Sequence, residues 1–316
     1  MATRRIVFNF HRVSGEKKVL HSPFDRLSRI SCEHFRVFIC ILKLQASFEQ
    51  LDKLLIKKNL HHPLRSFVHF TFDDVSSSFV QDVLPIIEKS NIPVTLFVSV
   101  ANANKGFNWR DKVYYILTKP DLRDLFVLKT KQAFGDSSII RDNDIYQWTK
   151  KPEFNQIQLE NVIDDVLEMY QDDFIHEIKK HKPYLDWDDL KHLTSHPLIT
   201  IGNHGLNHYN YNSLSDKEMK SDIEKSHEII TKELKVKCKH FAVPFGNPTQ
   251  RILPIVSHIL EDLNYISVGW VKRTCNVDQR SEGLRHYARI DSGQNVVINM
   301  VKYWKAFFNV NKNIIN

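Results

Sequence analysis

The sequence predicts an α/β fold built from parallel βα units. Three observations predict it: short apolar runs recur along the chain, helix-length amphipathic segments separate them, and chemistry-bearing residues follow two of the runs. The runs are Ile6–Phe10, Phe67–Phe72, Val94–Val100, Leu198–Ile201, His240–Val243, Tyr265–Gly269 and Arg285–Ile290. Each has the length of a strand. Between them lie helix candidates at His34–Lys58, Phe79–Ser90, Asp186–Thr194, Ser215–Leu234 and Thr249–Leu263.

The segment after Leu214 carries the clearest helix signal. Ser215 and Glu218 form a capping box, Met219, Ile223, Ile230 and Leu234 share one face, and Lys217, Lys220, Lys225 and Lys232 take the wet side. Asp186 caps the next clearest, with Asp188 and Asp189 in its first turn to suit the helix dipole. The βα rhythm breaks between Val100 and Asp186, where Trp109, Tyr114, Tyr115 and Trp148 stand in a polar and aromatic stretch with a helical piece near Leu159–Lys180. Residues 101–185 are read as an insertion or lid within a single domain spanning 1–316.

Composition bounds the answer further. Hydrophobic residues make up 42% of 316, with twenty Phe, which excludes a largely disordered chain. The formal charge of +7 favours anionic partners or an anionic membrane surface touched peripherally. The basic residues are spread and no nucleic-acid motif accompanies them, so nucleic acid is not an expected partner. The first apolar run is broken by Asn9, His11 and Arg12, unlike a signal peptide. The stretch Phe35–Leu42 is interrupted by Arg36 and stops at Lys43, short of the roughly 20 residues of a transmembrane span. Cys32, Cys40, Cys238 and Cys275 show no CxxC spacing and read as reduced thiols. The expectation is a soluble, cytoplasmic chain.

The chemistry concentrates at two places. Thr71-Phe72-Asp73-Asp74 stands where a strand should end, and in βα folds functional groups gather at the carboxyl ends of strands. Adjacent carboxylates repel unless a cation or proton intervenes. Alone, such a pair is more often a turn or a helix cap. A second feature changes the balance: Gly202-Asn203-His204-Gly205-Leu206-Asn207-His208 puts two histidines four apart directly after another strand. Two neutral imidazoles and one carboxylate make a catalytic zinc set with a position left for water, and Asp74, His204 and His208 would complete it. Cobalt and nickel suit the same donors.

In this arrangement the chain resembles the NodB-type polysaccharide deacetylases, carbohydrate esterase family four. The resemblance runs in order through Phe8-Asn9-Phe10-His11-Arg12-Val13, the Asp73–Asp74 pair, Asn91 to Val98, Trp187 to Leu190, Gly202 to His208, Phe241 to Gly246 and Ala288-Arg289-Ile290. It implies a distorted (β/α)7 barrel with the insertion after the third strand. It also implies Asp73 as general base beside the metal ligand Asp74, and an oxyanion donor in the backbone N–H of Phe245 after Pro244. Gly246 would let substrate approach closely. The implied reaction is metal-dependent hydrolysis of the acetamido group of an amino sugar, nucleotide- or lipid-linked, in surface glycan or glycolipid synthesis. A deformylase, a non-sugar amide or ureide hydrolase of the same fold, and a glycan-binding relative are the alternatives, the last disfavoured by the presence of Asp73.

Three departures from the family pattern set expectations of their own. Ala242 stands where many members have an Arg that pairs with the base, and Arg289 is the candidate to replace that cation. The proton donor to the leaving amine falls to His11 or His286. Val75 replaces the Gly that usually follows the Asp pair, which predicts that the turn there has no positive φ. Trp109 is the candidate to stack on a sugar ring.

Overall fold

Seven parallel strands close into a barrel in this computed structural model, which describes residues 4–15, 29–56, 65–135, 145–246, 248–271, 283–293 and 295–309. The strands are β1 (Arg5–Phe10), β2 (Ser66–Asp73), β3 (Val94–Val98), β4 (Ile199–Asn203), β5 (His240–Ala242), β6 (Ser267–Val271) and β7 (Arg285–Asp291). Each pairs with the next, and β1 joins β7 on one side and β2 on the other. The β1–β2 seam is continuous from Arg5↔Phe67 to Phe10↔Phe72, whereas β4 and β5 meet through Asn203↔Phe241 alone. The ring is therefore uneven.

All eight residues of β2 are buried, because helices cover one face and the barrel interior takes the other. Val68, Phe70 and Phe72 face outward into an aromatic layer with Phe8 and Phe10 of β1 and Phe35 and Phe38 of the helix Cys32–Gln45. Edge-on contacts at 5.2 Å tie Phe8 to Phe38 and Phe10 to Phe35. Each such pair adds about 0.5–1.5 kcal/mol beyond the area it buries. Inward, Val7, Phe67, Phe97, Ala242 and Tyr287 form a separate apolar plug with Leu51, Leu54 and Leu55. The Tyr287 ring fits only because β6 carries Gly269, where an added Cβ would lie 2.4 Å from that ring. Above this plug the interior turns polar, with Asn9, Thr71, Asp73 and Arg289.

Two helix expectations change in detail. The predicted His34–Lys58 helix is two helices, Cys32–Gln45 and Leu51–Ile56, with residues 57–58 outside the described ones. Between them Ala46–Phe48 runs extended and pairs with Ser66–Val68, which puts the Phe48 ring 5.1 Å from Phe70. Ladder pairing and aromatic burial outweigh helix continuation there. The predicted piece Leu159–Lys180 is likewise two helices, Gln156–Leu167 and Gln171–His181, separated by a 3₁₀ turn. Among the described residues, Val100–Lys105, Trp109–Leu117, Pro120–Phe134, Ile145–Trp148 and Trp187–Thr194 are the other α-helices between β3 and β4. The helix Asp216–Leu234 forms with its Ser215–Glu218 capping box and buries Met219, Ile223, Ile230 and Leu234, as the periodicity predicts. Cys32, Cys40 and Cys238 are free thiols, while Cys275 lies outside the described residues. Among the described residues no helix is long and apolar enough to cross a membrane.

Candidate active site

The carboxyl end of β2 places both aspartates. Asp73 is the last residue of the strand and turns inward, and Asp74 follows with φ +59°. Val75 also has positive φ, +21°, contrary to the expectation from its β-branched side chain. Its side chain is buried and its carbonyl accepts the backbone N–H of Leu185 at 3.1 Å, so tertiary packing holds a conformation that costs on the order of 1–3 kcal/mol.

The loop after β4 brings the histidines over the same rim. His204 Nδ1 lies 2.8 Å from the Ala242 carbonyl, to which it must donate, so that Nε2 is the nitrogen turned to the site. His208, at φ +57°, sets its Nε2 3.4 Å from Asp74 Oδ1. Burial pushes the His208 pKa down to about 3, so this imidazole is neutral near pH 7. Asp74, His204 and His208 each offer one donor atom, all within 4.8 Å of one another. Asp74 Oδ1 accepts from Asn102 Nδ2 at 3.1 Å, but Oδ2 is buried with no hydrogen-bond partner. A buried orphan carboxylate oxygen is costly in isolation. With a donor nitrogen from each of two histidines within 4.8 Å, the carboxylate fits a divalent cation.

Asp73 is held differently. Arg289, fully buried on β7, donates from Nη1 to Oδ1 at 2.6 Å and from Nη2 to Oδ2 at 2.9 Å. Nη1 also reaches Asn9 Oδ1 at 3.1 Å and Thr71 Oγ1 at 3.2 Å. Burial alone would raise the Asp73 pKa, yet the guanidinium and then His204 more than offset it, and the carboxyl is held well below the usual range. Asp73 Oδ2 stands 3.7 Å from His204 Nε2. The cation missing at Ala242 is thus present, supplied from another strand.

Pro244 and Phe245 occupy a turn closed by Gly246 N–H donating to the Val243 carbonyl at 3.1 Å. Phe245 has φ +60°, and its ring lies 5.1 Å from the His208 ring. Gly246 has a packing reason not read from sequence: at φ +58°, an added Cβ would stand 2.9 Å from Val271. The neighbouring strand thus requires glycine here.

The remaining candidates separate. His11 caps the end of β1 on the site's rim, 23% exposed, with Nδ1 3.7 Å from Asp291 Oδ1. His286 is not brought to the cluster: Tyr287 and Arg289 take the inward positions of β7, and His286 faces outward to Ser257 Oγ, 3.2 Å from its Nε2. Trp109 is also corrected, because only 1% of it is exposed and its indole N–H donates to the His208 carbonyl at 3.1 Å. It braces the ligand loop and offers no open face to a sugar.

Two residues escaped the sequence reading. Asn102 holds Asp74, and Arg110 brings Nη1 to 4.0 Å from Asp74 Oδ2. Asn102 follows the end of β3 by four residues, and the strand-end rule that found Asp73 and Asp74 could have found it. Arg110 carries no such signal.

The family model of polysaccharide deacetylases matches residues 62–260, more than half of the chain. The chain belongs to this family. It is accordingly a hydrolase acting on carbon–nitrogen bonds other than peptide bonds. The matched span of this deacetylase runs from before β2 to the helix Ile252–Asp262. It includes the aspartate pair, both histidines and Phe245, and leaves out His11 and Arg289. No curated protein sequence matches the chain. Among solved structures the deacetylase is similar to IcaB from Ammonifex degensii, at TM-score 0.56 and 15% identity over 96% of this chain and 98% of that one. It is also similar to the deacetylase PplD of Streptococcus pyogenes in complex with acetate, at TM-score 0.54 and 14% identity over 92% of both chains. A de-N-acetylase from Aggregatibacter actinomycetemcomitans aligns at TM-score 0.50 and 12% identity, over 91% of this chain and 95% of that one. At such identities the likeness concerns the fold.

Proposed function

We propose that this deacetylase hydrolyses the acetamido group of an amino sugar, with a divalent metal on Asp74, His204 and His208 and with Asp73 as base. The observation that carries the reading is the division of labour between adjacent carboxylates: one is clamped by Arg289, and the other, with one oxygen lacking a hydrogen-bond partner, brings a donor atom within 4.8 Å of those of His204 and His208. When bound, zinc, or cobalt or nickel in its place, would polarise the acetyl carbonyl and acidify the attacking water. Asp73, ionised at neutral pH, takes the proton from that water. The Phe245 N–H, which finds no acceptor among the described residues, is the second donor to the developing oxyanion. His11 on the rim then protonates the leaving amine.

Residues 101–185 belong to the same catalytic domain in this reading, supported by Asn102, Trp109 and Arg110 all reaching the ligand cluster. A cytoplasmic setting and a nucleotide- or lipid-linked precursor complete it, supported by the free thiols and the basic charge. The test is acetate release from N-acetylated amino sugars, with N-formyl sugars, linear amides and ureides as comparators. Release that survives Asp73→Asn undiminished, with metal still bound, would overturn the assignment.

A further inference from the structure

Once a cation sits on Asp74, Arg110 beside it, and Lys150 on the same Tyr146 ring as Arg110, have no other ion-pair partner among the described residues. Arg110 donates from both Nε and Nη2 to the Tyr146 hydroxyl, at 2.8 and 2.6 Å. Its Nη1 lies 4.0 Å from Asp74 Oδ2, and the guanidinium also hydrogen-bonds the Tyr114 side chain. The guanidinium also lies over the Phe245 ring, 5.3 Å from its centroid, in the turn that offers the oxyanion donor. Lys150 sets Nζ 4.0 Å from the centroid of the Tyr146 ring, with no acidic partner among the described residues. Burial first, and Arg110 second, bring the Lys150 pKa down to about 8, so the two cations feel each other. Asp111 makes no ion pair with either: one oxygen accepts from the Tyr184 hydroxyl at 3.1 Å and the other from Asn108 N–H at 2.8 Å.

Like charges gathered on one phenol ring without an acid are unfavourable unless an anion arrives. Asp73 is matched by Arg289, and Asp74 by the cation it holds. We infer that Arg110 and Lys150, held against Tyr146 beside Asp74, form a subsite for an anionic group on the amino sugar being deacetylated, a phosphate or a carboxylate. This inference rests on the deacetylase reading for the sugar, but not for the anion. A planar guanidinium and a lysine ammonium suit either oxyanion. Because the subsite adjoins the Phe245 turn, the anionic group lies close to the acetamido group, on the same sugar or one linkage away.

The test uses full-length, zinc-loaded protein carrying Asp73→Asn to prevent turnover, titrated calorimetrically with three probes. N-acetylglucosamine is neutral, N-acetylglucosamine 1-phosphate carries a phosphate, and N-acetylmuramic acid carries a carboxylate. At least one anionic probe is expected to bind about 10-fold or more tighter than the neutral one. Adding Lys150→Met should remove most of that advantage, and Arg110→Lys should reduce it. Equal binding of all three, no binding by any, or an anionic advantage that survives Lys150→Met would overturn the subsite; the last outcome would place the anion on the metal. Acetate release by the wild-type protein is read separately. Release without anionic preference sinks the subsite and keeps the deacetylase, whereas anionic preference without release does the reverse.

Discussion

Arg289 on β7 clamps both oxygens of Asp73 on β2, reaching across β1, with hydrogen bonds of 2.6 and 2.9 Å. The contact joins residues 216 positions apart. Its energetic role is one-sided: a buried carboxylate left without its cation costs roughly 3–5 kcal/mol. It also fixes the sign of a pH effect. With Arg289 present the folded-state pKa of Asp73 is depressed, so the stability it contributes is present above the unfolded value and is lost as pH falls through the folded one. Arg289→Met removes the largest influence that opposes burial. The acid limb of the kcat/KM profile should then move up by roughly one unit or more. An acid limb that stays in place would show that Asp73 is not the group titrating.

Asp73→Asn removes the base but leaves Arg289 a single acceptor in place of two, so folding is read by thermal melt beside the chemistry. Asp73→Asn should retain the metal, since neither histidine nor Asp74 is touched, and should slow turnover by about 10²–10⁴-fold. Metal content by atomic absorption, read beside acetate release, separates the two effects.

Chelation tests the ligand set directly. Removing the metal should abolish acetate release and lower the melting temperature, with zinc, cobalt or nickel restoring both. His208→Ala should fail to regain either at equivalent metal concentration.

The brace behind His208 can be weakened without touching a ligand. Trp109→Phe keeps the stacked ring 6.1 Å from Phe245 and deletes only the indole N–H on the His208 carbonyl. Metal affinity should fall about 10-fold, as when second-layer supports of metal ligands are lost. A competition titration with a chromophoric chelator reads this, and unchanged affinity would assign Trp109 to packing alone.

Asp111 predicts a stability slope of opposite sign to Asp73. Burial raises its pKa from 3.8 to about 7, so the folded protein keeps a proton that the unfolded chain has lost between those values. Stability from this group therefore falls as pH rises through that window. Asp111→Asn should flatten that part of the dependence in thermal melts at pH 5 and pH 8.

What the sequence made legible follows a physical pattern. β2 could be read because it is covered on both faces, and a strand so covered writes a continuous apolar run ending at Asp73. His204 and His208 could be read because a ligand pair on one loop keeps a fixed spacing. Arg289 was reachable because Ala242 left a charge unaccounted for. Trp109 and Arg110 were misread or missed because the helix Trp109–Leu117 aims adjacent residues in different directions, one onto His208 and one towards Asp74. Sequence shows their order, not their aim. Val75 was misread for another reason: its positive φ is imposed by the segment at Tyr184–Leu185, more than one hundred positions away, and local preference yields to it.

The closed ring has a consequence for how such a centre can vary. On an open sheet the first and last strands are remote, and a lost side chain can be replaced only from an adjacent strand. In a cylinder every strand end borders the same small mouth, so a position vacated on one stave can be refilled from another while the spatial arrangement stays fixed. Here the seam between β7 and β1 lets the last strand serve a carboxylate near the start of the barrel. A linear signature written around Pro244 would record a missing arginine at Ala242, although the assembled protein lacks nothing there.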